Sequence, residues 1–200
     1  MTRLLSVGGL VALGLFTGAP QPVAGVRPPA VPYEDNGLCP FECCTYREWT
    51  VEADTLVHVA RDDKSPVLYR LRRGDKARGL TGVVVTTRLG RAKVNEPTTL
   101  GGKEVPVIPG DLVYLINYVG EGYWKFWANG EIDQEQIADI GQQCVDGGPV
   151  GDLPVENRTG CIVQVTSRPR TIWWAQVKNK VGQVGWTRDV GNFGNIDACG

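Results

Sequence analysis

Six cysteines carry most of the reactive chemistry in this 200-residue chain, and three of them stand in the hexapeptide Cys39-Pro40-Phe41-Glu42-Cys43-Cys44. Thiols at that density serve as metal ligands, as a redox pair or as disulfide staples, and their spacing bears on which. Zinc sites built on cysteine show paired knuckles of ligands. Here Cys39 and Cys43 make one C-x3-C knuckle, a second is missing, and His58 is the only histidine. No C-x-x-C redox pair occurs. The remaining cysteines, Cys144, Cys161 and Cys199, lie far along the chain. An even number of cysteines in an exported chain reads as three disulfides, with no metal and no cofactor. Adjacent residues bridge poorly, so Cys43 and Cys44 are not expected to pair with each other. At least one of them should reach a distant cysteine and tie the N-terminal part to the body.

Other candidates for chemistry are weaker. With the thiols assigned to disulfides, His58 has no cysteine to activate, and it stands inside a strand-like segment. The chain holds no G-x-S-x-G, H-E-x-x-H or Walker pattern. Asp62-Asp63 and the Glu131/Asp133/Glu135 group read as turns and a helix start. Arg73-Gly74-Asp75 spells an adhesion tripeptide but falls in a turn. Arg70, Arg72, Arg73, Lys76 and Arg78 form a local basic patch, read as a wet strand edge. Net charge is −1, with 21 basic and 22 acidic residues, which gives no case for a nucleic-acid partner and at most a peripheral one for membranes.

Export is read from the first 25 residues. Thr2-Arg3 gives a positive start, Leu4 to Phe16 is apolar, and small residues and proline follow through Ala24-Gly25. This is the layout of a secretory signal peptide, and the apolar run is too short to span a bilayer. Residues 26–49 then form a proline-rich arm, "VRPPAVPYEDN", and the cysteine cluster.

The elements that must position these residues read as strands. Thr55–Val59, Val67–Leu71, Val83–Thr87, Asp111–Tyr118, Gly122–Trp127 and Cys161–Val165 are β-branched, apolar or aromatic, and Ala128-Asn129-Gly130 is a hairpin turn signal. In "TIWWAQVKNKVGQVGWTRD", Trp173, Ala175 and Val177 alternate with Trp174, Gln176 and Lys178, one face buried and one wet. One helix is expected in "IDQEQIADIG", where Asp133 and Gln136 are spaced as a cap and its partner. The fold class is therefore all-β, small barrels with one short helix, stapled by disulfides.

Leu71-Arg72-Arg73-Gly74-Asp75-Lys76 resembles the L-x-x-G-D/E-x turn of bacterial SH3 domains, and "WWAQVKNKVGQVGWT" resembles their closing W-W…G-x-x-G-W hairpin. "GDLVYLINYVGEGYWKFWANGEI" is a looser echo, and the whole exported chain resembles bacterial secreted SH3-domain proteins of unknown function. Those motifs normally sit within a single small domain, whereas Gly74 and Trp173 stand about 100 residues apart. Two SH3-like units in succession, 50–140 and a smaller 141–200, are the favoured arrangement; one barrel interrupted by an insertion is the other. The resemblance implies a non-catalytic binding module for peptides, cell-wall components or another secreted protein. A secreted interaction or inhibitory partner is the second reading, and a hydrolase or thiol oxidoreductase the third. Aromatics on the wet faces would form the ligand site, and strand parity nominates Tyr123, Trp127 and Trp174, leaving Trp124, Trp173 and Trp186 to the core.

Overall fold

The computed structural model describes residues 27–140 and 161–199, together with the backbone of two short strands between them. The signal peptide expected at 1–25 and the side chain of Cys144 lie outside the described residues. The strands, in chain order, begin with β1 (Tyr33–Asn36), β2 (Glu48–Val51), β3 (Thr55–His58), β4 (Val67–Leu71) and β5 (Lys76–Arg88). Then come β6 (Gly90–Val94), β7 (Thr98–Leu100), β8 (Val105–Val107), β9 (Val113–Gly120), β10 (Tyr123–Ala128) and β11 (Glu131–Gln136). The series ends with β12 (Cys144–Val145), β13 (Gly148–Pro149), β14 (Val163–Ser167), β15 (Arg170–Asn179), β16 (Val184–Thr187) and β17 (Phe193–Gly194). The fold is all-β, as its composition of short β-branched runs and turns implies.

Two curled antiparallel sheets account for most of these strands. The first runs β17-β2-β5-β15-β16-β3-β4, with β1 also on β5; the second runs β11-β10-β9-β6-β14. Each has its own core. Trp49, Val51, Val57, Leu71, Ala77, Ala175, Val177 and Phe193 fill the first, while Leu115, Trp124, Phe126, Ile137, Val163 and Val165 are among those filling the second. In the first sheet the β2–β5 ladder runs on past Thr50↔Lys76, with Gly74 N–H donating to the Val51 carbonyl at 2.8 Å. In the second, the curl brings the edges together: Ala138, just beyond β11, bridges to Gln164 on β14.

The chain does not divide into sequential units at 140/141. β15, β16 and β17 belong to the same sheet as β2 to β5, whereas β14 belongs with β6 and β9 to β11. Residues 90–167 are thus an insertion between β5 and β15, so the arrangement is one sheet interrupted by another. The physical reason is register. β15 pairs with β5 from Arg170↔Arg88 to Asn179↔Ala77, and β14 pairs with β6 from Ser167↔Arg91 to Val163↔Val94. One continuous two-stranded ribbon therefore carries the chain out of the first sheet and back into it. Where it passes between sheets, Gly90 lies against the opposing strand, and a Cβ there would sit 2.6 Å from the Pro169 backbone nitrogen.

The expected helix is a strand instead. Among the described residues the helical structure is one 3-10 turn, Val190–Asn192. In the region of "IDQEQIADIG", β11 pairs with β10 from Glu131↔Ala128 to Gln136↔Tyr123. The turn decides this: Asn129 and Gly130 hold φ of 48° and 97°, the left-handed pair that joins two tightly twisted strands. Once that hairpin forms, alternate residues of β11 gain paired ladder hydrogen bonds to β10, and an isolated short helix cannot compete. Asp133, read as a cap, instead accepts the backbone N–H groups of Lys103 and Gln134.

Polar groups join the two sheets. Thr86 Oγ1 on β5 donates to the buried Ile116 carbonyl on β9 at 2.7 Å. Asp35 on β1 is ion-paired with Lys125 on β10, and Asn117 Nδ2 donates to the same carboxylate at 3.0 Å. The cysteine cluster ties the segment before β2 to the tail after β17. Cys39 bridges Cys44 and Cys43 bridges Cys199, with Cα–Cα distances of 5.4 and 5.6 Å. Cys161 is disulfide-bonded as well. Cys43 thus reaches across the chain, as adjacency required. The disulfides suggest a non-cytoplasmic compartment. Among the described residues no helix is long and apolar enough to cross a membrane.

Two predictions follow from this packing. Gly90→Ala should destabilise the protein by about 1–3 kcal/mol, because backbone atoms rather than a mobile side chain occupy the space. Urea denaturation checks this, and an unchanged midpoint would refute the close-passage account. Tyr46 and Tyr69 donate to the carbonyls of Leu38 and Val177, and burial pushes both hydroxyls up to about 12. An unfolded tyrosine ionises near pH 10. The stability tied to these protonated hydroxyls is therefore complete below about pH 10 and falls as pH rises toward about 12. Phenolate absorbance should show part of the tyrosine titration delayed in the folded protein; full titration near pH 10 would contradict it.

Candidate aromatic groove

The outward face of the first sheet carries a groove of about 750 Å³. Its floor takes one row of side chains from successive strands: Glu34 on β1, Val85 on β5, Ile172 and Trp174 on β15, and Trp186 on β16. Register explains the row, since Glu34 pairs with Val85 and Val85 with Ile172, and paired residues point to the same face. The wall is the segment 59–63, the first half of the β3–β4 connection, and Arg188 closes the far side.

Backbone and side-chain bonds hold that wall in place. Val59 N–H donates to the Pro66 carbonyl at 3.1 Å, and Ser65 N–H to the Asp62 carbonyl at 2.9 Å. His58, buried beneath the connection, donates from Nδ1 to the Ser65 carbonyl at 2.9 Å. Its position opposite Trp186 in the ladder makes it a strut for the groove. Among the described residues no cysteine is free to pair with it as a nucleophile.

Charges on the wall and floor are matched. Arg61 Nη2 is 3.0 Å from a Glu34 carboxylate oxygen, and Arg188 Nη1 is 2.9 Å from Asp63. The Arg61 guanidinium also lies over the Trp186 ring, 5.5 Å from its centroid, in cation–π geometry. Its Nη1 is buried without a hydrogen-bond partner among the described residues. Asp62 accepts the Lys64 N–H at 2.9 Å, which fixes the tip of the wall. The result is one open indole surface, that of Trp186, backed by Trp174 and edged by ion pairs. Such a surface offers large rigid contact area at little entropic cost. It holds no nucleophile and base pair in hydrogen-bonding reach.

The three nominated aromatics fall in different surroundings. Trp174 does point away from Trp173, as alternation predicts, but that face is not wet. The 59–63 segment and Trp186 stand beside it, leaving Trp174 only 5% exposed. Trp127, on the second sheet, packs edge-on against Tyr114 at 5.8 Å and is 8% exposed. Its outward face also bears Lys125, which is drawn into the junction with the first sheet. Tyr123 is exposed, at 40%. Neither Tyr123 nor Trp127 lines the groove that holds Trp174. Trp124 is core, and Trp173 is half-buried against the first core, edge-on to Phe41 and Trp49.

Trp186, expected in the core, lines the groove. The inward positions of β16 are taken by Gly185 and Thr187, and Trp186 alternates outward between them. The G-W-T triplet carried that signal in its own parity. Arg61 and Glu34 had no comparable signal, because their partnership depends on β1 and the β3–β4 connection meeting in space. The basic patch around Arg70 to Arg78 stays on the surface, with Lys76 Nζ bound to Thr50 Oγ1 at 2.6 Å.

No family model, curated protein or solved structure matches the chain. Its class rests on its own geometry: a disulfide-bonded, all-β protein with an aromatic, ion-paired groove on one sheet.

Trp174→Ala should cost about 3–5 kcal/mol in stability, the range for emptying a buried tryptophan site. A change within about 0.5 kcal/mol by chemical denaturation would mean that the groove wall does not cover it in solution.

Proposed function

We propose that the protein is an exported, non-catalytic binding module whose aromatic groove takes an extended peptide, such as the peptide part of a bacterial cell wall. The observation that supports this best is the Arg61 guanidinium stacked on Trp186 beside Trp174. The half-exposed Trp186 indole, backed by the buried Trp174, and a fixed cation offer apolar and polar contacts side by side, which suits a chain with alternating side chains and carbonyls. The resemblance to bacterial SH3 domains supports the same reading. Its L-x-x-G-D turn lies between β4 and β5, and its closing hairpin is β15–β16, which supplies both groove tryptophans. Export through a signal peptide at 1–25 would deliver the chain to a compartment where its disulfides persist.

Titration of the native protein with soluble cell-wall stem peptides, followed by indole fluorescence, should give a saturable response. Trp186→Ala should weaken it at least about tenfold, about 1.4 kcal/mol, with circular dichroism unchanged. Equal affinity in the variant would remove the groove from the reading. Recovery in complex with another secreted protein, with no response to the peptides, would overturn the cell-wall assignment.

A further inference from the structure

A second concavity lies on the inserted sheet. It measures about 390 Å³ and sits between β6, the Pro109–Leu112 turn leading into β9, and Thr166 on β14. Strand β6 alternates strictly: Gly90, Ala92 and Val94 face the second core, while Arg91 and Lys93 stand exposed. Arg91 pairs in register with Tyr114 and Ala92 with Val113, so the same ladder continued sets Lys93 beside Leu112.

The turn bordering it is rigid. Ile108 N–H donates to Asp111 Oδ2 at 2.9 Å, and Asp111 N–H returns to the Ile108 carbonyl at 3.0 Å. Gly110 supplies the positive φ of 101° that this turn needs. The rigid turn nevertheless leaves Ile108 and Leu112 56% and 60% exposed. A large apolar side chain, Leu112, held open on a fixed turn at an apolar hollow marks a contact surface, and Ile108 extends it along the same turn. The rim is basic. No carboxylate is ion-paired with Arg91 or Lys93 among the described residues, and the one carboxylate in the hollow, Asp111, is engaged in its own turn.

We infer that this hollow docks a protein segment that presents an apolar side chain flanked by carboxylates. The apolar side chain enters between Leu112, Pro109 and Tyr114, and the carboxylates meet Arg91 and Lys93. Complementary charge at the rim sets orientation and partner choice, while the apolar centre supplies affinity. A membrane surface fits less well. The hollow is concave, and two cations fall short of the four to eight that anionic bilayers typically attract. The site is separate from the Trp174–Trp186 groove and does not depend on its ligand.

The test uses the full protein, isotope-labelled for amide NMR, and a capped pentapeptide, Gly-Asp-Leu-Asp-Gly. Saturable shifts are expected at Arg91, Lys93, Leu112 and Val113, weakening several-fold as salt rises from about 50 to about 300 mM. Leu112→Ser and the pair Arg91→Glu/Lys93→Glu, all at exposed positions, should each abolish them, while Trp186→Ala should retain them. The proposal fails if a Gly-Lys-Leu-Lys-Gly peptide shifts the same amides equally. It also fails if the shifts fall in the aromatic groove, or if no saturation appears. A response to phosphatidylglycerol vesicles without one to the acidic peptide would assign the hollow to lipid and overturn it too.

Discussion

Everything in this molecule hangs on one antiparallel ribbon. Residues 76–94 and 163–179 run side by side through both sheets, broken only by the passage at Gly90 and Pro169. Backbone hydrogen bonds along β5 and β15 fix the register of the first sheet, and those along β6 and β14 fix that of the second. A one-residue slip would turn every side chain to the wrong face. The Leu80 bulge, where Thr81 and Gly79 oppose consecutive residues Gln176 and Val177, shows how parity is adjusted within that constraint. Before the bulge, β5 turns Ala77 to the first core. Beyond it, Val84 and Thr86 are buried, with Thr86 against β9, while Val85 faces the groove.

Because the ribbon is shared, the groove and the inserted sheet are mechanically coupled through β5. Val85 lines the groove, and its neighbour Thr86 bonds to Ile116 on the second sheet. On β1, Glu34 holds Arg61 over Trp186, and the next residue, Asp35, holds Lys125. A part-buried ion pair of this kind adds little net stability, because desolvation offsets its attraction, but breaking one partner leaves a charge stranded. The pair thus acts as a locator: it sets where β10 lies relative to β1.

Strand identity was largely legible, because alternation of apolar and polar residues is local. Val67–Leu71 is a strand to the residue, and the alternation of Trp173 and Trp174 places them on opposite faces. Strands β6, β7 and β8 carried no such run, and their Gly, Lys and Pro content hid them. Connectivity was not legible either. Nothing in the spacing of Gly74 and Trp173 says whether the intervening residues precede or interrupt a sheet, since pairing over that distance is decided by tertiary contact. The exposure of Trp174 failed for the same reason. Parity tells which way a side chain points but not what stands over it, and here the answer is a loop anchored by His58 and Ser65.

The Cys43–Cys199 bridge joins residues 156 positions apart and has a consequence for how the molecule carries load. Tension applied between residues 27 and 199 passes from the tail through sulfur to Cys43 and on into the arm. It bypasses every strand of both sheets except β1. The element in its path is β1, held on β5 from Tyr33↔Thr86 to Asn36↔Val83. Stretching the protein therefore peels one short strand and leaves the rest at rest, so a tethered copy would yield at its arm while the other strands of both sheets stayed paired.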